Sequence, residues 1–173
     1  MGYDEVNLNL GCPAGTVVAK GKGSGFLREP DALDAFLADL FSDPSLPPIS
    51  VKTRIGYTDE DEFDRLVQIY NRYPLKSLTV HPRLKADHYK GRVRLSTLDR
   101  LYPLMTMPVI YNGDITTAAD AAAVTRRYPT LEALMIGRGV IADPALMRKM
   151  KGGRPASRKE LEAFTSDLYE AFA

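Results

Sequence analysis

Five short apolar runs, each closing on or followed at once by a polar residue or a glycine and each leading into a helix-patterned segment, restrict this chain to a narrow set of folds. The runs are Val6 to Leu10, Ile49 to Arg54, Ser77 to His81, Pro108 to Asn112 and Ala133 to Gly137. They recur at intervals of roughly thirty to forty residues, a spacing that demands crossover connections and therefore parallel pairing. Runs this short and apolar fit a sheet covered on both faces, so the fold class is α/β.

The segments between them carry helical periodicity and boundary signals. Pro30 suits a first turn, and Leu33, Phe36, Leu37 and Leu40 follow at helical spacing before Asp43-Pro44 and Pro47-Pro48. Thr58 and the acidic residues after it open a second helix with Phe63, Leu66, Val67 and Tyr70 on one face, ended by Pro74. A third runs from about Leu95 to Tyr102, and Thr116 or Thr117 caps an alanine-rich fourth that reaches the neighbourhood of Tyr128-Pro129. Asp143-Pro144 reads as cap and first turn of a short helix. Ser157 with Glu160 forms a capping box for a last one, in which Leu161, Phe164, Leu168 and Phe172 are expected to point inward.

A doubly wound sheet and a (β/α)8 barrel share this grammar, and the polar residues decide between them. Asn9 and Cys12, Lys52 and Arg54, His81 and Arg83, Asn112 and Asp114, and Gly137 and Arg138 all fall at strand C-terminal ends, where barrels build their sites. A dinucleotide fold concentrates its signal in one glycine fingerprint after the first strand, and Gly21-x-Gly23-x-Gly25 has the wrong spacing for it. The reading is a partial (β/α)8 barrel of about the last five βα units.

At 173 residues, with 45% hydrophobic and 26% charged side chains, the chain can bury a core of ordinary domain size. Its formal charge of +1 gives no general attraction to polyanions, so any nucleic acid has to be held by a local basic patch. The single cysteine forms no intramolecular disulfide, and no leader or long apolar span is evident, which fits a reducing cytoplasm and no membrane association.

Chemistry is expected first at Cys12, placed just past a strand by Gly11 and Pro13. The alternative is a buried thiol acting as a small hydrophobe. The segment Lys20-Gly-Lys-Gly-Ser-Gly25 reads as a mobile turn in preference to a phosphate loop. Lys52 sits among apolar strand neighbours, where an ammonium calls for an anion, either a ligand's or an internal carboxylate. Asn112-Gly-Asp114 and Gly137-Arg-Gly139 end consecutive strands, and a short helix after the second matches the way barrels hold a phosphate. His81, His88 and one cysteine have no zinc-ligand spacing, so no metal is expected.

These residues together resemble the flavin-dependent tRNA-dihydrouridine synthases. Asn7-Leu-Asn-Leu-Gly-Cys-Pro13 is similar to the family's cysteine motif, and Val51-Lys-Thr-Arg54 to its lysine and arginine strand. Val80-His81-Pro-Arg83 resembles the histidine motif, with Pro82 where the family usually has glycine. Asn112-Gly-Asp114 and Met135-Ile-Gly-Arg138 resemble the flavin-phosphate end. The resemblance implies FMN held by Lys52, His81, Asn112, Gly113, Asp114, Gly137 and Arg138, reduced by NADPH, and a tRNA uridine then reduced to 5,6-dihydrouridine. It implies Cys12 as the acid that protonates C5, and Asn9, Arg54 and Tyr89 as the residues holding the flipped-out uracil. It further implies that residues 1–152 form a barrel domain lacking about three N-terminal strands, and that 153–173 begin a helical tRNA-binding region. The chain is then a fragment, whose uncovered outer strands invite self-association. The competing expectations are an FMN-barrel reductase of a free pyrimidine and a non-catalytic half-barrel association module.

Overall fold

In the computed structural model, which describes residues 2–172, five parallel strands pair in sequence order. They are β1 (Val6–Leu10), β2 (Ile49–Arg54), β3 (Leu78–His81), β4 (Val109–Asn112) and β5 (Ala133–Met135). The helices are α1 (Gly15–Val18), α2 (Pro30–Phe41), α3 (Glu62–Tyr70), α4 (Leu95–Leu101), α5 (Ala118–Arg127), α6 (Arg138–Ala142), α7 (Leu146–Met150) and α8 (Arg158–Phe172). An all-parallel sheet in the order 1-2-3-4-5, with a helical crossover after each of the first four strands, is a run of consecutive βα units from a barrel. Contacts divide the chain into two compact units: residues 2–113 with 130–135, and residues 114–129 with 136–172.

The first unit holds the sheet, and its register sorts side chains by chemistry. Leu8, Val51, Leu78 and Val109 are partners across β1 to β4, as are Leu10, Thr53, Val80 and Tyr111. This face lies under the helices, since the buried Tyr70 of α3 donates its hydroxyl to Thr53 Oγ1 at 3.0 Å. Leu33 and Leu37 of α2, Phe63, Leu66 and Ile69 of α3 and Leu98 of α4 are buried in the same layer. The alternate positions, Asn9, Lys52 and Thr79 in one row and Arg54 with His81 in the next, occupy the opposite face. Period-two alternation therefore separates an apolar helix-facing side from a polar side on which a site can be built. Among the described residues β1 and β5 each pair on one side only.

Two boundaries differ from the sequence reading for local reasons. The helix expected to open at Thr58 begins at Glu62, because the Glu62 carboxylate folds back to accept from the backbone N–H groups of Tyr57, Thr58 and Asp59 and holds them in a turn. The glycine-rich segment ends in a 3-10 helix, Gly23–Arg28, with Gly23, Ser24 and Gly25 buried.

In the second unit, Thr117 caps α5 by accepting from Asp120 N–H, while Asp120 accepts from Thr117 N–H. Gly139 at the start of α6 is required by packing, since a Cβ there would lie 2.1 Å from Ile115 O. The Ser157–Glu160 capping box of α8 forms as expected. The inward stripe on that helix does not: Leu161, Phe164 and Leu168 are 39–49% exposed and Phe172 is 85% exposed. The apolar residues that line the groove beside the first turns of α8 from outside the helix are the small Pro144, Ala145 and Ala156. Among the described residues no helix is long and apolar enough to cross a membrane.

Thr117→Ala removes the cap's acceptor while leaving α5 otherwise intact, and should lower stability by about 1 kcal/mol in chemical denaturation. An unchanged midpoint would show that α5 does not depend on this cap.

Candidate active site

Cys12 reaches its position through the residues on either side of it. Asn9, on the polar face of β1, turns its side-chain Oδ1 forward to accept from the N–H of Gly11 at 3.1 Å and of Cys12 at 3.0 Å. That closes the turn which Pro13 and Gly11 require. The chain then doubles back, and Ser24 donates both its N–H and its hydroxyl to Cys12 O, at 3.0 and 2.9 Å. Gly23 makes this approach possible: its φ is +55°, and a Cβ there would fall 2.7 Å from Cys12 O. The segment expected as a mobile turn is thus packed against the cysteine, which remains half-buried with a free thiol.

Lys52 is the register partner of Asn9, and its Nζ would stand 3.5 Å from a Cβ at Gly11. Among the described residues it makes no ion pair. Burial pushes its ammonium pKa below the ordinary lysine value and the Arg54 charge pushes the same way, with an opposing contribution from Cys12. A half-buried cation without a carboxylate is the arrangement expected of an anion or electron-rich ligand site.

Arg54, next on the same face, is 1% exposed. Its Nε donates to Gly11 O at 3.0 Å and its Nη1 to Leu84 O at 2.7 Å, joining the segment after β1 to the segment after β3. Its guanidinium also lies 5.6 Å from the ring centroid of Tyr89, which is 59% exposed. Burial lowers the Arg54 pKa, and the Tyr89 and Asp87 side chains oppose that.

His81 ends β3 on this face as the partner of Arg54. Arg83 Nη1 lies 3.3 Å from His81 Nε2, and since arginine only donates, a hydrogen bond between them needs that nitrogen as acceptor. Arg83 also donates twice to Gly91 O, and Arg94 pairs with Asp87, whose carboxylate accepts from Leu84 N–H at 2.8 Å. These bonds define the loop that carries Tyr89. Sequence reasoning missed Gly23 and Ser24 as organisers of the site, while Arg83, which it did place at a strand end, proves to hold the loop after β3 through Gly91 O. The glycine-rich segment was visible in the sequence, but its packing against Cys12 depends on the fold-back.

Asn112, at the end of β4, spends its side-chain amide on Met135 O at 2.8 Å and so fixes the end of β5. Gly113 is buried and tight, since a Cβ would stand 3.0 Å from both Tyr111 Oη and Val93 Cγ1. In the second unit Arg138 pairs with the Asp114 carboxylate at 2.9 Å, and Gly137 is exposed with open space around it. The first unit brings together Asn9, Cys12, Lys52, Arg54, His81 and Tyr89 around the C-terminal ends of β1, β2 and β3. Among the described residues no group of three or more His, Cys, Asp or Glu side chains is placed to hold a metal.

Comparison with known proteins gives this constellation its context. The family model described as dihydrouridine synthase (Dus) matches residues 1–169. The chain is 31% identical over 152 residues to tRNA-dihydrouridine synthase B of Pasteurella multocida, covering 87% of this chain and 45% of that protein. It is 31% identical to probable tRNA-dihydrouridine synthase 1 of Synechocystis, with 87% of this chain and 42% of that protein covered. For tRNA-dihydrouridine synthase B of Escherichia coli K12 the identity is 30%, with 87% and 46% covered. The chain therefore spans a little under half the length of the curated relatives it matches.

Lys52→Met keeps the stem and removes the unpaired charge. It should raise stability of the chain without ligand by about 1 kcal/mol, read from the denaturation midpoint. A lowered midpoint would mean that the ammonium has an internal partner after all.

Proposed function

Since the chain belongs to the dihydrouridine synthase family, we propose that it is the catalytic part of an FMN-dependent tRNA-dihydrouridine synthase, an oxidoreductase that reduces a uridine of tRNA to 5,6-dihydrouridine with NADPH as reductant. The observation that carries this reading is the clustering of a free thiol, an unpaired half-buried ammonium and a buried guanidinium under an exposed tyrosine at three adjacent strand ends. Lys52 fits the cofactor because its ammonium meets no carboxylate among the described residues, and His81 stands beside Arg83 on the neighbouring strand. Asn112 and Gly113 carry the same assignment at the end of β4. Asp114, Gly137 and Arg138 are assigned to the FMN phosphate by their place in the family's motifs; for Arg138 this requires its guanidinium to exchange the Asp114 carboxylate for the anion. The chemistry that bound flavin supplies is hydride delivery to C6 of the uracil.

The chain's own residues do the rest. Cys12, fixed from both sides by Asn9 and Ser24, acts as the general acid that protonates C5. Asn9 spends its carbonyl on that turn and keeps its amide Nδ2 for a uracil oxygen. Arg54 positions the Cys12 turn through Gly11 O and backs the Tyr89 ring, which offers an apolar face to an extruded base. Residues 153–173, with the exposed apolar stripe of α8, are assigned to the start of the helical tRNA-binding region. Such an enzyme works in the cytoplasm on tRNA.

The test uses a polypeptide of the relatives' full length that contains this chain. Cys12→Ala should leave flavin reduction by NADPH nearly intact and slow dihydrouridine formation about a hundredfold or more, measured by nucleoside analysis of tRNA. Undiminished turnover would remove Cys12 from the acid role, and a wild type that forms no dihydrouridine would overturn the reading.

A second reading, self-association of this chain, is favoured by one observation. Val6 on β1 and Met135 on β5 are 38% and 37% exposed, on outer strands that each pair on one side among the described residues. Open strand edges with apolar side chains recruit further strands. Sedimentation of the 173-residue chain should show a dimer or larger species, and a monomer at every concentration would overturn this reading.

A further inference from the structure

Arg28 and Lys85 converge on one aromatic ring without meeting an acid. The Arg28 guanidinium carbon lies 5.0 Å and Lys85 Nζ 4.8 Å from the ring centroid of Tyr57. Arg28 spends one donor on Gly25 O at 3.3 Å, and among the described residues neither cation makes an ion pair. Of the acids that follow Tyr57, Glu62 accepts from the backbone of Tyr57, Thr58 and Asp59 and from the Thr58 hydroxyl, Asp59 accepts from Asp61 N–H, Glu60 accepts from the Thr97 hydroxyl, and Asp61 pairs with Arg100. By contrast cations on or just past the helices are neutralised: Arg65 of α3 pairs with Asp31, Arg72 after α3 with Asp34, and Arg100 of α4 with Asp64. Within the first unit, then, a chain of almost zero net charge leaves unpaired positive charge in the segments that follow the strands. Two cations held at one ring repel each other, and the ring's negative face offsets only part of that repulsion. An anion shared between them reverses its sign.

The place of the cluster says which anion. Arg28 belongs to the segment that folds back on Cys12, Tyr57 follows closely after Arg54, and Lys85 follows closely after His81. Each of the three loops thus extends one strand end of the candidate active site. Tyr57 and Arg28 also line an open groove of about 460 Å³. A base extruded into the site leaves its flanking phosphodiesters outside it, where the chain has these cations. We infer that Arg28 and Lys85, gathered on Tyr57, form a subsite for an RNA phosphodiester adjacent to the nucleotide held at Cys12. This rests on the proposed RNA substrate, but it concerns a strand contact separate from the reacting base.

The test measures binding of a fluorescent twelve-nucleotide oligouridylate to the 173-residue chain by anisotropy between 50 and 200 mM KCl, at pH 7. Arg28→Gln and Lys85→Gln should each weaken binding about three- to tenfold at the lowest salt and reduce the slope of log affinity against log salt by about 0.7, the single-strand value for one lost phosphate contact. Lys76→Gln makes the same charge change before β3, at the opposite strand end, beside Glu5, and should leave the slope unchanged. Arg28→Lys should keep the slope, separating charge from packing, and thermal melts of all variants should match wild type. Oligouridylate binding whose slope survives Arg28→Gln and Lys85→Gln, or falls equally in Lys76→Gln, overturns the subsite and leaves the uridine-reduction reading to its own assay. A wild type without affinity for the oligonucleotide also overturns the subsite, whatever dihydrouridine formation shows.

Discussion

The arrangement of the site depends on one buried guanidinium. Arg54 leaves β2 on the polar face and donates to the carbonyl oxygens of Gly11 and Leu84, which belong to the segments after β1 and β3. Both carbonyls lie past the last ladder bonds of their strands, where a parallel sheet leaves backbone groups without partners. Hydrogen bonds from a charged donor contribute about 1.5–3 kcal/mol each, and losing the donor would leave two buried acceptors bare. Arg54 also supports Tyr89. One side chain therefore sets the position of the cysteine turn and the ring above it.

A second constraint is the division of labour between charges. On or just past the helices, Arg65, Arg72 and Arg100 meet aspartates, and among the described residues Lys52, Arg28 and Lys85 of the polar face and its loops make no ion pair. The near-zero formal charge conceals this segregation, because paired and unpaired cations count alike in a sum. Local balance is what a polyanion encounters.

Glycines work at the site through proximity. Gly23 lets the chain return to within hydrogen-bond distance of Cys12 O, and Gly113 admits the Tyr111 hydroxyl beside β4. Gly137, which the sequence pattern singles out, stands in open space, while its neighbour Gly139 has no room for a methyl group. A glycine-containing motif marks where the backbone turns tightly; which of its glycines is sterically required depends on what packs beside each.

The strand rhythm by itself determined the α/β class, the parallel order and the end of the sheet at which chemistry is placed, because period-two alternation and strand-end position are local properties of a sequence. It also placed Cys12, Lys52, Arg54 and His81 on neighbouring strands. Only the tertiary structure decided what those side chains touch. Arg54 meets carbonyls 43 and 30 residues away, and Ser24 closes on Cys12 from 12 residues downstream. Asn9 gives its carbonyl to a turn and keeps its amide, and Arg28 and Lys85 share a tyrosine that lies between them in the chain. The apolar stripe of α8 shows the same limit from the other side. Its periodicity specifies a helix with one greasy face, but burial of that face depends on a partner surface that no local pattern encodes.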